Sequence, residues 1–272
     1  MRAASTASRF QWHDGVALRQ TQSIHTQPNR LTTTHPMSID LPNPPPEDCL
    51  APTDLVDSAH PGVQAFAAQH GQGATPRERA VALYLAVRDS FRYDPYRVDM
   101  SPAGMRASRV IDNGYGWCTP KAALLAASCR AIGIPARLGY ADVRNHLSTE
   151  RLRQTLSTDV FAWHGYTDIW LDGAWRKATP AFNIELCERF GLLPLAFDGV
   201  ADSIYHPFDK AGNRHMEYIR QRGAYVDMPL AQMIDTFREI YPGWVRESGP
   251  ETTPPNATSQ ADFMADVIRE NG

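Results

Sequence analysis

The sequence predicts an α+β protein, because its helical patterns precede its strand patterns along the chain. Apolar residues recur at helical spacing in 76–91 and 120–131. Strand patterns follow in 136–143, where apolar residues alternate, and in 160–171, which is rich in aromatic and β-branched residues. An Asp-Gly turn signal at 172–173 then predicts a hairpin, and so an antiparallel partner strand.

Composition and charge exclude several classes of protein. The 272 residues are 43% hydrophobic, as in ordinary globular proteins. The net charge of −3 provides no basic surface for nucleic acid or an anionic membrane. No apolar run approaches the roughly 20 residues of a membrane-spanning helix. We therefore expect a cytoplasmic protein that binds neither nucleic acid nor membrane.

The cysteines argue against metal and disulfide scaffolds. Cys49, Cys118, Cys129 and Cys187 are far apart and form no Cys-x-x-Cys pair, as a zinc site would require. No loop rich in Asp and Asn indicates calcium binding. We therefore expect reduced thiols, no metal and no cofactor.

The two ends of the chain differ from its middle. Residues 1–36 are polar and lack the apolar region of a secretory signal, which predicts a disordered or misassigned extension. Residues 37–247 are expected to form a single domain. Residues 248–272 begin as a linker rich in Pro, Thr and Ser and end in a short amphipathic segment.

Two helices have clear boundary signals. Thr75 and Glu78 form a capping box around Pro76, which begins the first helix. The second helix runs from Pro120 to about residue 131, and Gly133 suits the left-handed position that follows a helix end.

Cys118 stands at the entrance of the second helix. Pro120 suits the first helical position and Thr119 the cap, which places Cys118 one residue before the cap. The unpaired N–H groups and partial positive charge of a helix start favour a thiolate, which is the nucleophilic form. The alternative is a small buried apolar residue.

The hairpin at 172–173 fixes a strand register. If the turn has two residues, Asp168 faces Lys177 and Tyr166 faces Thr179. Thr179 then lies diagonal to His164, at roughly 7 Å and within reach of its imidazole. Asp168 is about 13 Å along the strand from His164 and is better placed to pair with Lys177.

His164 is the histidine that the strand pattern selects as a base for a thiol. It lies within the predicted strand 160–171, and an imidazole is the commonest partner of a nucleophilic cysteine. The alternative is a structural histidine with its hydrogen bonds satisfied.

These segments together resemble the core of the bacterial transglutaminase-like superfamily over roughly 75–185. The matching stretches are residues 114–118, 122–125, 130–140, 162–171 and 175–180. The resemblance implies a papain-like fold in which a cysteine at a helix N-terminus packs against an antiparallel sheet or partial barrel that carries the histidine. It also implies thiol acyl transfer on amides, with Cys118 and His164 as catalytic residues.

The third catalytic position departs from the family pattern. The family has an aspartate before the proline of the strand after the histidine, and this chain has Thr179 before Pro180. Threonine can accept a hydrogen bond from the imidazole but carries no charge to stabilise the imidazolium. Asn183 is the nearest amide that could substitute.

The expected function is therefore that of a cysteine peptidase, amidase or transglutaminase-like hydrolase acting on a peptide, protein or small amide. Hydrolysis is preferred over transamidation, because no pocket for an amine donor is evident. The alternative is a weak or inactive transglutaminase-fold protein that binds peptides or a protein partner. Residues 186–247 are expected to form a loop-rich cover and a helix, and we expect solvated or capping roles for its polar residues, including His206, Asp209 and His215.

Overall fold

The computed structural model describes residues 47–145, 148–204, 215–241 and 262–271. The predicted extension 1–36 and the linker 248–261 lie outside these ranges. The described residues all belong to one compact unit, which spans 38–272.

Four helices form the first half of the described chain: α1 (Pro61–His70), α2 (Pro76–Ser90), α3 (Ser108–Asn113) and α4 (Cys118–Ala131). The capping box predicted for α2 is present, since Thr75 and Glu78 each accept from the other's backbone N–H. Helix α4 is the central helix, and both α1 and α2 pack against it. Nearly all of its side chains are buried, including the polar Lys121, Ser128 and Arg130.

An open antiparallel sheet packs on the other side of α4. Its strands are β3 (Ala136–Asn145), β4 (Val160–Leu171), β5 (Ala174–Ala178) and β6 (Met216–Tyr225), in the order β5-β4-β3-β6. A short parallel pair, β1 (Arg92–Tyr93) and β2 (Tyr115–Gly116), precedes α4. The α+β prediction with an antiparallel sheet is therefore confirmed.

The hairpin register agrees with the sequence up to the end of β5. Asp172 and Gly173 both have positive φ, as the predicted two-residue turn requires, and Asp168 pairs with Lys177. Strand β5 nevertheless ends at Ala178, which pairs with Thr167, and so does not reach the predicted pair of Tyr166 and Thr179. The backbone N–H of Thr179 donates to Ser203 O at 3.1 Å, so the chain leaves β4 at this point.

The remaining helices are α5 (Glu150–Leu156), α6 (Ile184–Arg189), α7 (Leu230–Ile240) and α8 (Phe263–Asn271). Helix α8 is the predicted amphipathic segment, and its apolar residues Phe263 and Val267 are buried. Among the described residues, no helix is both long and apolar enough to cross a membrane.

A buried lysine fastens the first turn of α4. Lys121 is fully buried, and its ammonium donates to the carbonyls of Arg88 (2.9 Å), Phe91 (2.7 Å) and Ala181 (2.8 Å). Three acceptors match the three donors of an ammonium group. The N-terminus of α4 is therefore tied both to the end of α2 and to the chain that follows β5.

Candidate active site

Cys118 is the first residue of α4, two positions further into the helix than its sequence indicated. Trp117 is the cap residue, with extended φ and ψ of −93° and −175°. The predicted capping role of Thr119 is wrong, because its hydroxyl donates instead to Trp163 O at 3.1 Å. Pro120 is tolerated as the third helical residue, since the first four N–H groups of a helix have no intrahelical acceptor.

The Cys118 thiol is buried among hydrogen-bond donors. It is 5% exposed, and the backbone N–H of Gly165 favours its charged thiolate form. The hydroxyl of Thr119 lies 3.9 Å from Sγ. Burial nevertheless raises the pKa of the Cys118 thiol above its ordinary value of 9.0. The expectation of a resting thiolate is therefore wrong, because the loss of solvent outweighs the neighbouring donors.

A β-bulge sets the direction of the strand at His164. The register between β3 and β4 shifts by one residue at this point, and Trp163 has a φ of +59°, which is uncommon for a bulky side chain. The Trp163 backbone is held at both ends. Its N–H donates to Asp142 Oδ1 at 3.1 Å, and its carbonyl accepts from Thr119.

Gly165 allows β4 to touch the first turn of α4. A Cβ at this position would lie 2.9 Å from the Cα of Thr119, closer than real contacts allow. Two residues further along, the hydroxyl of Thr167 donates to Ala122 O at 2.8 Å. The strand that carries His164 is thus pinned directly to the helix that carries Cys118.

His164 is buried and uncharged at neutral pH. Its side chain lines the same cleft as Cys118 and is 4% exposed. Burial and the neighbouring imidazole of His215 lower the pKa of His164 to about 4. An imidazole in this state can accept a proton from a thiol.

His215 belongs to this site, which the sequence did not indicate. It directly precedes β6 and is 3% exposed, so the expected solvated role is wrong. His215 is 51 residues after His164, so no short sequence motif could link the two histidines. His206 and Asp209 lie outside the described residues. Within those residues, no three His, Cys, Asp or Glu side chains are grouped so as to bind a metal ion.

The residues considered for the third position, Thr179, Asn183 and Asp168, do not line the cleft. The hydroxyl of Thr179 is buried and has no hydrogen-bond partner among the described residues, and Thr179 does not line the cleft. Asn183 Oδ1 accepts from Tyr93 N–H at 3.0 Å. Asp168 forms its closest ion pair with Arg137, at 3.0 Å, although Lys177 lies opposite it in the sheet. The structure therefore brings Cys118 and His164 to one cleft without placing Thr179 there.

The cleft around Cys118 and His164, here called the thiol cleft, encloses about 840 Å³ including open solvent at its mouth. One wall comes from α5, with Leu152 and Leu156. Another comes from α7 and the residue after it, with Phe237 and Tyr241. Helix α5 is not among the helices that the sequence pattern predicted. The capping residue Thr149, followed by leucines four residues apart, was the signal that could have identified it.

Parts of the chain are similar to known proteins. Residues 64–180 match the family model of the transglutaminase-like superfamily. Among solved structures, the chain is similar to a candidate cysteine protease from Cytophaga hutchinsonii, with 20% identity, a TM-score of 0.37, and coverage of 48% of this chain and 40% of that one. It is also similar to a candidate protease from Parabacteroides distasonis, with 16% identity, a TM-score of 0.32, and coverage of 46% and 26%. No curated protein matches the chain. Residues 64–180 therefore form a transglutaminase-like superfamily domain.

Proposed function

We propose that this protein is a cysteine-dependent acyl transferase that hydrolyses amide or peptide bonds. One observation carries the proposal: the Cys118 thiol and the His164 imidazole line one cleft. The backbone N–H of Gly165, the residue after His164, favours the thiolate form of Cys118. A thiol and a base on adjoining elements are the arrangement that nucleophilic catalysis by cysteine requires.

Attack begins from two neutral groups. His164 accepts the thiol proton as the bond forms between Cys118 Sγ and the carbonyl carbon, which gives a tetrahedral oxyanion. The imidazolium is disfavoured in this buried site, so its proton passes readily to the nitrogen of the leaving amine. The C–N bond breaks and leaves a thioester on Cys118. Water, deprotonated by His164, then releases the acid and restores the thiol.

Two donors are candidates for holding the oxyanion. The N–H of Cys118 is the first of the helix and lacks an intrahelical acceptor. The hydroxyl of Tyr93, upstream in the chain, is the second. Tyr93 lines the thiol cleft, and both burial and a charge on Cys118 raise the pKa of its hydroxyl, so it remains a protonated donor.

Thr179 is proposed to position the imidazole of His164. Its hydroxyl makes no hydrogen bond within the described residues and is therefore available for this role. Because a threonine cannot stabilise the imidazolium by charge, a second function is also supported: a weak or inactive protein that binds peptides in the thiol cleft.

The experiment that tests the proposal is acylation by an acyl 4-nitroanilide, followed by release of 4-nitroaniline and by mass spectrometry of the acyl adduct. We expect an adduct on Cys118 that Cys118→Ala abolishes and His164→Gln slows by about 100-fold or more. The control, Cys49→Ala, removes a buried thiol that does not line the cleft and should change neither readout. An adduct that persists in Cys118→Ala would refute the assignment of the nucleophile.

The variant Thr179→Asp separates the two functions. If the protein is an enzyme limited by its third residue, a carboxylate there should raise the acylation rate by about tenfold or more. If neither the wild type nor Thr179→Asp forms an adduct, while peptides bind the folded protein, the binding function is the correct one. Circular dichroism of the variant establishes that it is folded.

A further inference from the structure

We propose that the thiol cleft selects an acyl group that is uncharged and aromatic. This inference rests on the proposed function of the same site, and it concerns which substrates the site accepts. It is based on the side chains that surround the Cys118 thiol but do not take part in the reaction.

The first observation is the absence of charge. Among the described residues that line the thiol cleft, none is Asp, Glu, Lys or Arg. Apart from Cys118, His164 and the tyrosines, the polar lining consists of Asn145 and Thr155. A charged acyl group would lose its water on entry and find no counter-ion, which is strongly unfavourable.

The second observation is that two tyrosines use their hydroxyls on the protein itself. The Tyr241 hydroxyl accepts from Ala162 N–H at 2.7 Å and donates to Val160 O at 2.9 Å. The Tyr96 hydroxyl donates to Asp266 Oδ2 at 2.8 Å. Because these polar tips are already bonded, the two residues offer mainly their rings to a ligand.

The third observation is a run of rings along one wall. The ring of Trp117, which directly precedes the nucleophile, lies 6.4 Å from that of Phe237, and Phe237 lies 5.3 Å from Tyr241. These distances between ring centroids are typical of tilted aromatic contacts, so an added aryl group can extend the same packing. The leucines of α5 supply the apolar wall that completes the cleft.

The inference is tested first by binding, independently of catalysis. In Cys118→Ala, NMR titration compares 3-phenylpropanamide with 4-carboxybutanamide, a similar amide that ends in a carboxylate. We expect the phenyl compound to bind at least about tenfold more tightly. Equal affinities, or tighter binding of the carboxylate, would overturn the inference.

Substitutions of two leucines test whether the amides bind in the thiol cleft. Leu156→Arg puts a cation in the α5 wall and should reverse the preference in favour of 4-carboxybutanamide. The matched control, Leu193→Arg, makes the same change at a site that is 71% exposed and outside the cleft, and should leave the preference unaltered. If Leu156→Arg binds both amides as the parent does, the aryl group lies elsewhere and the inference is wrong.

The corresponding 4-nitroanilides, used with an intact Cys118, separate this inference from the proposed function. Selective binding of the phenyl amide without any adduct on Cys118 would support the cleft preference and refute the catalysis. Adducts that form equally well from both anilides would support the catalysis and refute the preference.

Discussion

At the scale of single residues, the site is a neutral pair rather than an ion pair. The Cys118 thiol and the His164 imidazole are both nearly inaccessible to water, so burial disfavours the charged form of each. A helix N-terminus favours a thiolate, but this preference is small compared with the loss of solvent. In the proposed reaction, the thiol therefore becomes nucleophilic as its proton moves to the base during attack.

The neutral pair predicts how alkylation of Cys118 depends on pH. Because the pKa of the thiol lies above 9.0 and His164 stays neutral above a pH of about 4, the thiolate fraction should rise steadily from pH 6 to pH 8. The rate of alkylation by iodoacetamide should increase by about 100-fold over that interval. Rates are measured by intact mass against Cys118→Ala. A flat, fast rate between pH 5 and pH 8 would instead indicate a thiolate–imidazolium pair.

A second prediction concerns the contact at Gly165. In Gly165→Ala the added methyl group meets the backbone of Thr119, so β4 and α4 must separate, and the Gly165 N–H that favours the Cys118 thiolate moves away. We expect the acylation rate to fall by about 100-fold, with a loss of stability of about 1–3 kcal/mol.

Gly191→Ala is the control for that variant. Gly191 has a φ of +66° and open space around it, so alanine there costs stability without touching the site. Acylation by the folded Gly191→Ala protein should equal that of the wild type. If both variants lose activity in proportion to their stability, the contact at Gly165 has no specific role in the site.

At the scale of elements, the bulge in β4 is the device that joins the strand to the helix. The sequence predicted the bounds of β4 correctly, because aromatic and β-branched residues mark its whole length. It did not reveal the bulge, since Trp163 is among the last residue types expected at positive φ. That conformation is held by Asp142 and Thr119, which contact the Trp163 backbone only in the folded protein.

Asp142→Ala is predicted to release the bulge. Asp142 accepts from Trp163 N–H and also pairs with Arg222, and both charged side chains are about nine-tenths buried. The variant would leave a buried cation unpaired, at a cost of about 3–5 kcal/mol. We expect urea unfolding to show this decrease in the free energy of unfolding. The acylation rate of the folded variant should also fall, by more than the unfolded fraction alone explains. The control Asp235→Ala removes an exposed ion pair of α7 and should change neither readout.

Helix ends show which features of an element its sequence determines. Gly133 has the left-handed conformation that the sequence predicted for the position after α4, with a φ of +79°. The N–H groups of Gly133 and Ile134 donate to carbonyls in the last turn of α4, at 3.0 and 2.9 Å. The start of α4 was predicted two residues late, because Thr119 and Pro120 resemble a cap and a first helical residue. Their actual roles depend on β4, which is far away in the sequence.

At the scale of the whole molecule, the cleft is assembled from more than the family-matched segment. Cys118, His164 and the α5 wall lie within residues 64–180, whereas Phe182, Met216, Phe237 and Tyr241 follow it. Cys118 and His164, the proposed catalytic pair, could be predicted from local motifs. The surrounding walls could not, because their residues come together only through packing between distant parts of the chain.

The last of these distant parts is α8, which contacts two tyrosines of the cleft, Tyr93 and Tyr96. Asp266 is buried and accepts from Tyr96 at 2.8 Å and from Arg151 Nε at 2.8 Å. One turn earlier, Phe263 lies against Tyr93 and Tyr96, with ring centroids 5.8 and 5.2 Å apart. The helix therefore supports the wall of the cleft without lining it.

Asp266→Ala is predicted to loosen that wall. Tyr96 would lose its carboxylate partner and keep only Thr149, 2.7 Å from its hydroxyl, at a cost of about 0.5–1.5 kcal/mol, while the more exposed Arg151 regains water. We expect 3-phenylpropanamide to bind about fivefold or more weakly in the Cys118→Ala background, because the Tyr96 ring is held less firmly. Asp112→Ala, which breaks an exposed ion pair with Arg109, is the control and should bind normally. Unchanged affinity in a folded Asp266→Ala protein would mean that the cleft is formed without support from α8.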